Sequence, residues 1–255
     1  MAQVGKLSKK ERRALRRQTR SGAVTEPTVG IQIKNFQPLT LNQKKAFESY
    51  YNNKHIMLHG CAGTGKTFIA IYLALQEILE SDIYKKLVII RSAQPSKNQG
   101  FLPGNLKEKA KVYELPYQSI CSELFGRGDA YDILKNRGKI EFTTTSYHRG
   151  LTFSDCIVLV DEIQNLTAWE CDTAMTRLGD NAKILYAGDI RQADLNKPHE
   201  KSGLSDFLKI IRRMSSFDVI EFDASDIVRS RIVKQYIMAR NDLEDRGQIK
   251  SLVFQ

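Results

Sequence analysis

Apolar residues along this chain fall into two kinds of segment: short unbroken runs, and longer stretches spaced as on one face of a helix. The unbroken runs lie at 55–59, 86–90, 156–160 and 183–187, each of a length suited to a strand buried on both faces. Residues 139–143 alternate apolar and polar positions, and 219–222 supply a last short run, so both read as strands. Between them lie helical patterns. Thr40 is placed to cap a helix through Tyr51, with Leu41, Ala46, Phe47 and Tyr50 as its apolar positions. A second helix runs from Lys66 to Glu80, and mainly helical patterning extends from residue 105 to about Lys135. Thr167 caps a helix ending near Gly179; another is expected near 204–213, and a last one from about Asp226 to Arg240. Strands alternating with helices predict an α/β fold: a parallel sheet with helices on both faces.

Composition changes the picture at one end. The net charge is +10, and residues 1–24 hold eight Lys/Arg (Lys6, Lys9, Lys10, Arg12, Arg13, Arg16, Arg17 and Arg20) against Glu11 alone. Gly22, Pro27 and Gly30 follow as breakers, so 1–37 is read as a basic appendage, partly disordered, and 38–255 as the folded domain. Such a tail either touches the phosphates of a nucleic acid or is a solvated extension. It lacks the apolar run of a secretory signal, and no stretch of eighteen apolar residues occurs, so a soluble, cytoplasmic protein of a bacterial or phage-infected cell is expected. Cys61, Cys121, Cys156 and Cys171 show no metal-site spacing and read as reduced, mostly buried thiols.

The chemistry is concentrated where runs end. Gly60-Cys61-Ala62-Gly63-Thr64-Gly65-Lys66-Thr67 matches Gly-x-x-x-x-Gly-Lys-Thr without departure, between an apolar strand and an amphipathic helix. Its glycines let successive N–H groups turn toward phosphate oxygens, and the helix adds its positive end. Lys66 is expected to reach the β- and γ-phosphates of ATP, and the Thr67 hydroxyl to join the Mg2+ shell. Asp161 and Glu162 end another strand: Asp161 is expected to hold the metal, and Glu162 to orient or deprotonate the attacking water. Gln192, after the strand ending in Gly188-Asp189, has a neutral amide for the γ-phosphate or that water.

The ordered set of Gln43, the phosphate loop, Gly100-Phe101-Leu102-Pro103-Gly104, Arg149-Gly150-Leu151-Thr152-Phe153, Asp161-Glu162-Ile163-Gln164-Asn165, Gly188-Asp189-Ile190-Arg191-Gln192 and Asp226-Ile227-Val228-Arg229 resembles the PhoH family of P-loop ATPases, relatives of superfamily-one helicases. The resemblance covers roughly residues 38–240 and implies a RecA-like P-loop core. It implies that Gln43 reads the adenine edge and that Arg229, or its neighbour Arg231, is an arginine finger. Two positions depart from the family pattern: Ile163 stands in place of an alanine, and Ser230 in place of a histidine. One such domain cannot supply an arginine across a cleft to itself, so a ring, hexameric by the resemblance, is expected. A threaded strand would meet Arg91, Lys97, Phe101 and Thr143-Thr144-Thr145. Two readings stay open: an ATP-driven motor or helicase on RNA or single-stranded DNA, and a nucleotide-gated switch or assembly ATPase acting on a protein partner.

Overall fold

The computed structural model describes residues 31–92, 106–145, 152–190 and 203–249. The chain divides into two compact units, Met1–Ile33 and Lys34–Gln255, and the sheet lies within the second. The basic run of residues 1–24, Lys97 and Phe101 of the expected strand-binding loop, residues 149–151 and Gln192 lie outside the described residues.

Six strands form one parallel sheet in the order β3-β2-β4-β5-β1-β6, where β1 is His55–Gly60, β2 Lys86–Arg91, β3 Ile140–Thr144, β4 Cys156–Val160, β5 Lys183–Gly188 and β6 Phe217–Phe222. The four central strands are buried over nearly their whole length, as an all-parallel sheet covered on both faces requires. The loop-bearing strand β1 and the acid-bearing strand β4 are separated by β5. That separation is the RecA-like arrangement of a P-loop NTPase fold, in agreement with the sequence expectation.

The covering helices among the described residues are α1 (Leu41–Tyr51), α2 (Lys66–Glu80), α3 (Leu106–Phe125), α4 (Ala130–Asn136), α5 (Ala168–Thr176), α6 (Leu204–Arg213) and α7 (Arg231–Asp245). Local chemistry sets several of their ends. Thr40 caps α1 by accepting from the Gln43 N–H, and Thr167 with Glu170 closes a reciprocal capping box on α5. The helical stretch after residue 105 breaks into two because Gly126 adopts φ +69°, closed to most side chains.

Two boundaries differ from the sequence expectation for physical reasons. The last helix starts at Arg231 rather than near Asp226. Residues Ala224–Asp226 form a separate 3-10 turn, with Asp223 accepting from the Ser225 N–H and Asp226 from the Asp223 N–H. These local bonds compete with helix formation. On α1, Leu41 is exposed and the buried positions are Gln43, Ala46 and Tyr50. A polar amide thus takes a core position, which hydrophobic spacing does not register.

The sheet sets up one tight approach that the rest depends on. Gly60 leaves β1 at φ +117°, and a Cβ there would sit 2.0 Å from the Phe222 carbonyl oxygen at the end of β6. That same oxygen accepts from the Cys61 N–H at 3.0 Å, so the turn out of β1 is latched to its neighbouring strand. Gly60→Ala should therefore lower the unfolding free energy by at least about 3 kcal/mol, since neither backbone can yield cheaply. Chemical denaturation of the variant against the native chain reads this directly.

Candidate functional site

The loop from Gly60 to Thr67 begins at that latch and ends as α2 begins. Gly63 and Gly65 take φ +77° and +82°, so the loop is bent in the sense that turns amide hydrogens into one concavity. Thr64 is fully buried, its hydroxyl donating to the Cys61 carbonyl at 3.0 Å, and this pins the bend from inside. Ala62 is exposed at the tip, while Cys61 is buried. All four cysteines are free and buried, as their spacing suggested.

Lys66 opens α2 with its ammonium folded back over the loop, donating to the carbonyls of Gly60 at 2.8 Å and Cys61 at 2.7 Å. Burial lowers its pKa, while the negative charges of Asp189, Glu162, Cys61 and Asp161 pull it the other way. The ammonium therefore stands among carboxylates at the C-terminal edge of the sheet, the edge where ligands of open α/β sheets bind.

Thr67 and Asp161 meet. The Thr67 hydroxyl donates to Asp161 Oδ1 at 2.8 Å, joining the start of α2 to the end of β4. Tyr117 of α3 donates its hydroxyl to the other carboxylate oxygen, Oδ2, at 2.9 Å. Burial is the main force raising the Asp161 pKa; Glu162 adds to it, against the hydrogen bonds from Thr67 and Tyr117 and the charge of Arg91. Burial and then Asp161 raise the Tyr117 phenol far above its ordinary value, so it remains a donor. A buried carboxylate beside a second acid and a hydroxyl is a hard-oxygen donor set in want of positive charge, which suits Mg2+. Among the described residues no cluster of three or more His, Cys, Asp or Glu could hold a metal by itself. A two-donor site of this kind fits an ion that keeps waters and phosphate oxygens in its shell.

Glu162 adopts a left-handed backbone, φ 54° and ψ 48°, rare for a residue with a side chain. Strain of that kind is tolerated where the surroundings over-determine it. Here Gln164 supplies the restraint: its amide nitrogen donates to Glu162 Oε2, and its amide oxygen accepts from the Asp189 N–H at 3.0 Å. A Cβ on Gly188 would come within 2.5 Å of that amide oxygen, so the glycine at the end of β5 makes room for it. Gln164 thus links the acid after β4 to the residues after β5. The sequence placed it in a motif but gave it no role.

Gln43 is brought to the loop from α1 and is only 5% exposed. Its amide nitrogen donates to the Thr64 carbonyl at 3.0 Å, and its oxygen accepts from the Leu39 N–H at 2.7 Å. Both ends are engaged with backbone, so in this arrangement Gln43 braces the loop. Residues 227–229 also pack on the same loop. The Val228 N–H donates to the Gly63 carbonyl at 3.1 Å, and a Cβ on Gly63 would meet Arg229 Cγ at 3.1 Å and Ile237 of α7 at 3.5 Å. Arg229 and Arg231 are exposed, and Arg229 rests its stem against the loop of its own chain. Of the three threonines ending β3, Thr144 and Thr145 are buried and Thr143 is half-buried. The Thr144 hydroxyl is buried, and the Thr143 hydroxyl donates to the Thr144 carbonyl at 3.5 Å.

A parallel sheet carrying a glycine-rich phosphate loop after one strand and an Asp-Glu pair after another defines a P-loop α/β domain of the RecA-like kind. A family model described as PhoH-like protein matches residues 35–241, and the chain belongs to that family. It is 34% identical over 215 residues to the PhoH-like protein of Bacillus subtilis, covering 84% of this chain and 66% of that protein. It is 34% identical over 200 residues to Protein PhoH of Escherichia coli K12, covering 78% of this chain and 55% of that one. The match thus spans between about half and two thirds of the length of these relatives. Among solved structures, the large terminase of a thermophilic bacteriophage is similar with a TM-score of 0.47 at 12% identity, covering 80% of this chain and 50% of that one. The Hef helicase domain of Pyrococcus furiosus gives 0.43 at 12% identity, covering 81% and 47%.

Proposed function

We propose that this chain binds and hydrolyses ATP with Mg2+, and spends the hydrolysis on moving along, or remodelling, single-stranded RNA or DNA. The observation that carries the first half is the meeting of Thr67 with Asp161 at 2.8 Å beside a phosphate loop whose lysine stands at its mouth. A hydroxyl from the loop helix and a carboxylate from another strand are the two protein donors that a Mg-triphosphate requires. Thr67 and Asp161 would hold Mg2+ there, and the ion would supply positive charge where negative charge builds on the phosphates.

The chain's own groups then divide the work. Backbone amides of residues 60–67 grip the phosphates, and Lys66 exchanges its loop carbonyls for β- and γ-phosphate oxygens. Glu162, held by Gln164, orients the attacking water and takes its proton. Gln192 senses the γ-phosphate or that water. Gln43 contacts the adenine edge by exchanging one of its two backbone bonds for the base. Arg229, or its neighbour Arg231, both exposed, is the arginine that reaches the γ-phosphate bound by a neighbouring copy.

A ring of copies, six by family resemblance, is supported by what surrounds those arginines. Ile232 and Tyr236 of α7 are 71% and 58% exposed, one helical turn apart, and Leu39 and Leu41 are exposed before and at the start of α1. Apolar side chains of this size at the rim of a nucleotide site suit a protein surface packed over them. The nucleic-acid half of the reading rests on the eight cations within residues 1–24 and on Arg91 at the C-terminal end of β2. The same exposed apolar side chains favour the second reading, a switch or assembly ATPase whose partner is another protein.

Two measurements separate the parts. Glu162→Gln should keep ATP affinity and lower turnover by about 100-fold or more; normal turnover would remove Glu162 from the role of base. Native turnover should rise several-fold with single-stranded RNA or DNA at low salt and lose that rise as salt increases, because each phosphate contact releases counterions. Turnover indifferent to either strand at every salt concentration would favour the protein-directed switch.

A further inference from the structure

Tyr117 has no place in the motifs that define the site, yet its hydroxyl reaches the carboxylate at the centre of it. It is fully buried, and it donates to Asp161 Oδ2 while Thr67 holds Oδ1, so the two donors fix the carboxylate's rotation from opposite oxygens. The positive charge of Arg91, at the end of β2, acts on both Tyr117 and Asp161. The Tyr117 ring rests against Phe142 of β3, with centroids 5.8 Å apart. One turn earlier, the buried Glu114 accepts from Tyr131 at 2.7 Å and Lys135 at 2.5 Å, which ties α3 to α4. Helix α3 is therefore anchored on one side to its neighbouring helix, and on the other to the acid of β4 through one hydroxyl.

We propose that Tyr117, backed by Arg91, is a positioning residue for the metal carboxylate: it turns Asp161 so that the Thr67 side of the carboxylate faces the Mg2+ of a bound nucleotide, and it couples α3 to the presence of that ion. This rests on the reading of the site as one for Mg-nucleotide. The physical case is that of outer partners of a metal ligand generally, which set the ligand's orientation and basicity without touching the ion. Without the phenol, Oδ2 loses a buried donor and only the Thr67 bond to Oδ1 restrains rotation of the carboxylate about its last bond. With the phenol present, any displacement of α3 at Tyr117 is transmitted to Asp161, and entry of the ion is transmitted back.

The test compares the affinity of a fluorescent ADP analogue, the N-methylanthraniloyl derivative, with Mg2+ and with EDTA. It uses the full chain in its native form and as the variants Tyr117→Phe and Phe142→Leu. The native chain should bind more tightly with Mg2+. In Tyr117→Phe that metal-dependent gain should fall by roughly 10-fold, with the EDTA affinity within about twofold of native. Phe142→Leu, which alters the packing of the ring and leaves the hydroxyl, should retain the gain. A gain in Tyr117→Phe equal to the native one would overturn the proposal. So would an equal loss with and without Mg2+, which marks a merely structural residue. If Tyr117→Phe does not fold, Arg91→Gln takes its place under the same two criteria. A native chain with no metal-dependent gain would instead overturn the Mg-nucleotide reading itself.

Discussion

The site depends on how closely β6 approaches the end of β1. Gly60 can leave its strand at φ +117° only because no side chain stands between it and the Phe222 carbonyl, and that carbonyl then captures the Cys61 N–H. Everything downstream inherits this geometry. The bend places Thr64 inside, aims Lys66 back over the loop, and starts α2 with Thr67 facing the end of β4. The latch is made of backbone atoms, so its direction is set by strand pairing in the sheet rather than by flexible side chains.

Around that latch, elements distant in sequence each contribute one bond. Helix α1 sends Gln43 to the Thr64 carbonyl, residues 227–229 and α7 cover Gly63, and α3 sends Tyr117 to Asp161. Gln164 spans the ends of β4 and β5 by bonding Glu162 and Asp189. The loop is thus braced by segments distant in sequence. Its two acids accept hydrogen bonds from neutral donors, the hydroxyls of Thr67 and Tyr117 and the amide of Gln164.

Much of this is legible in the sequence, because parallel strands buried on both faces write themselves as unbroken apolar runs and glycine-rich phosphate loops tolerate little variation. The runs at 55–59, 86–90, 156–160 and 183–187 are strands of the sheet, and the Thr40 and Thr167 caps fall where the side-chain chemistry puts them. The pairing of Thr67 with Asp161 follows from the motifs and is present as a hydrogen bond. What stays hidden shares a cause. Tyr117 reads as one more core aromatic on a helix, Gln164 as filler within a motif, and Gln43 as an adenine contact with no sign of its bonds to the Thr64 carbonyl and the Leu39 N–H. The importance of each lies in a single long-range contact that neither periodicity nor spacing encodes. The last helix starts later than its pattern predicts because the Asp223–Asp226 bonds compete with helix formation over only four residues. The strand-facing role expected of the threonines of β3 meets their burial, since a residue at a strand end faces inward or outward according to the pleat.

In the proposed function, a bent backbone, one ammonium and one hydroxyl–carboxylate pair together hold a Mg-triphosphate. Calorimetric titration of the chain and of Lys66→Ala with Mg-ATP tests it most directly. The native chain should show saturable uptake, with affinity at least about 100-fold weaker without the ammonium, whose charge-assisted bonds to phosphate are individually strong. Equal uptake by both, or none by the native chain at millimolar Mg-ATP, would contradict it.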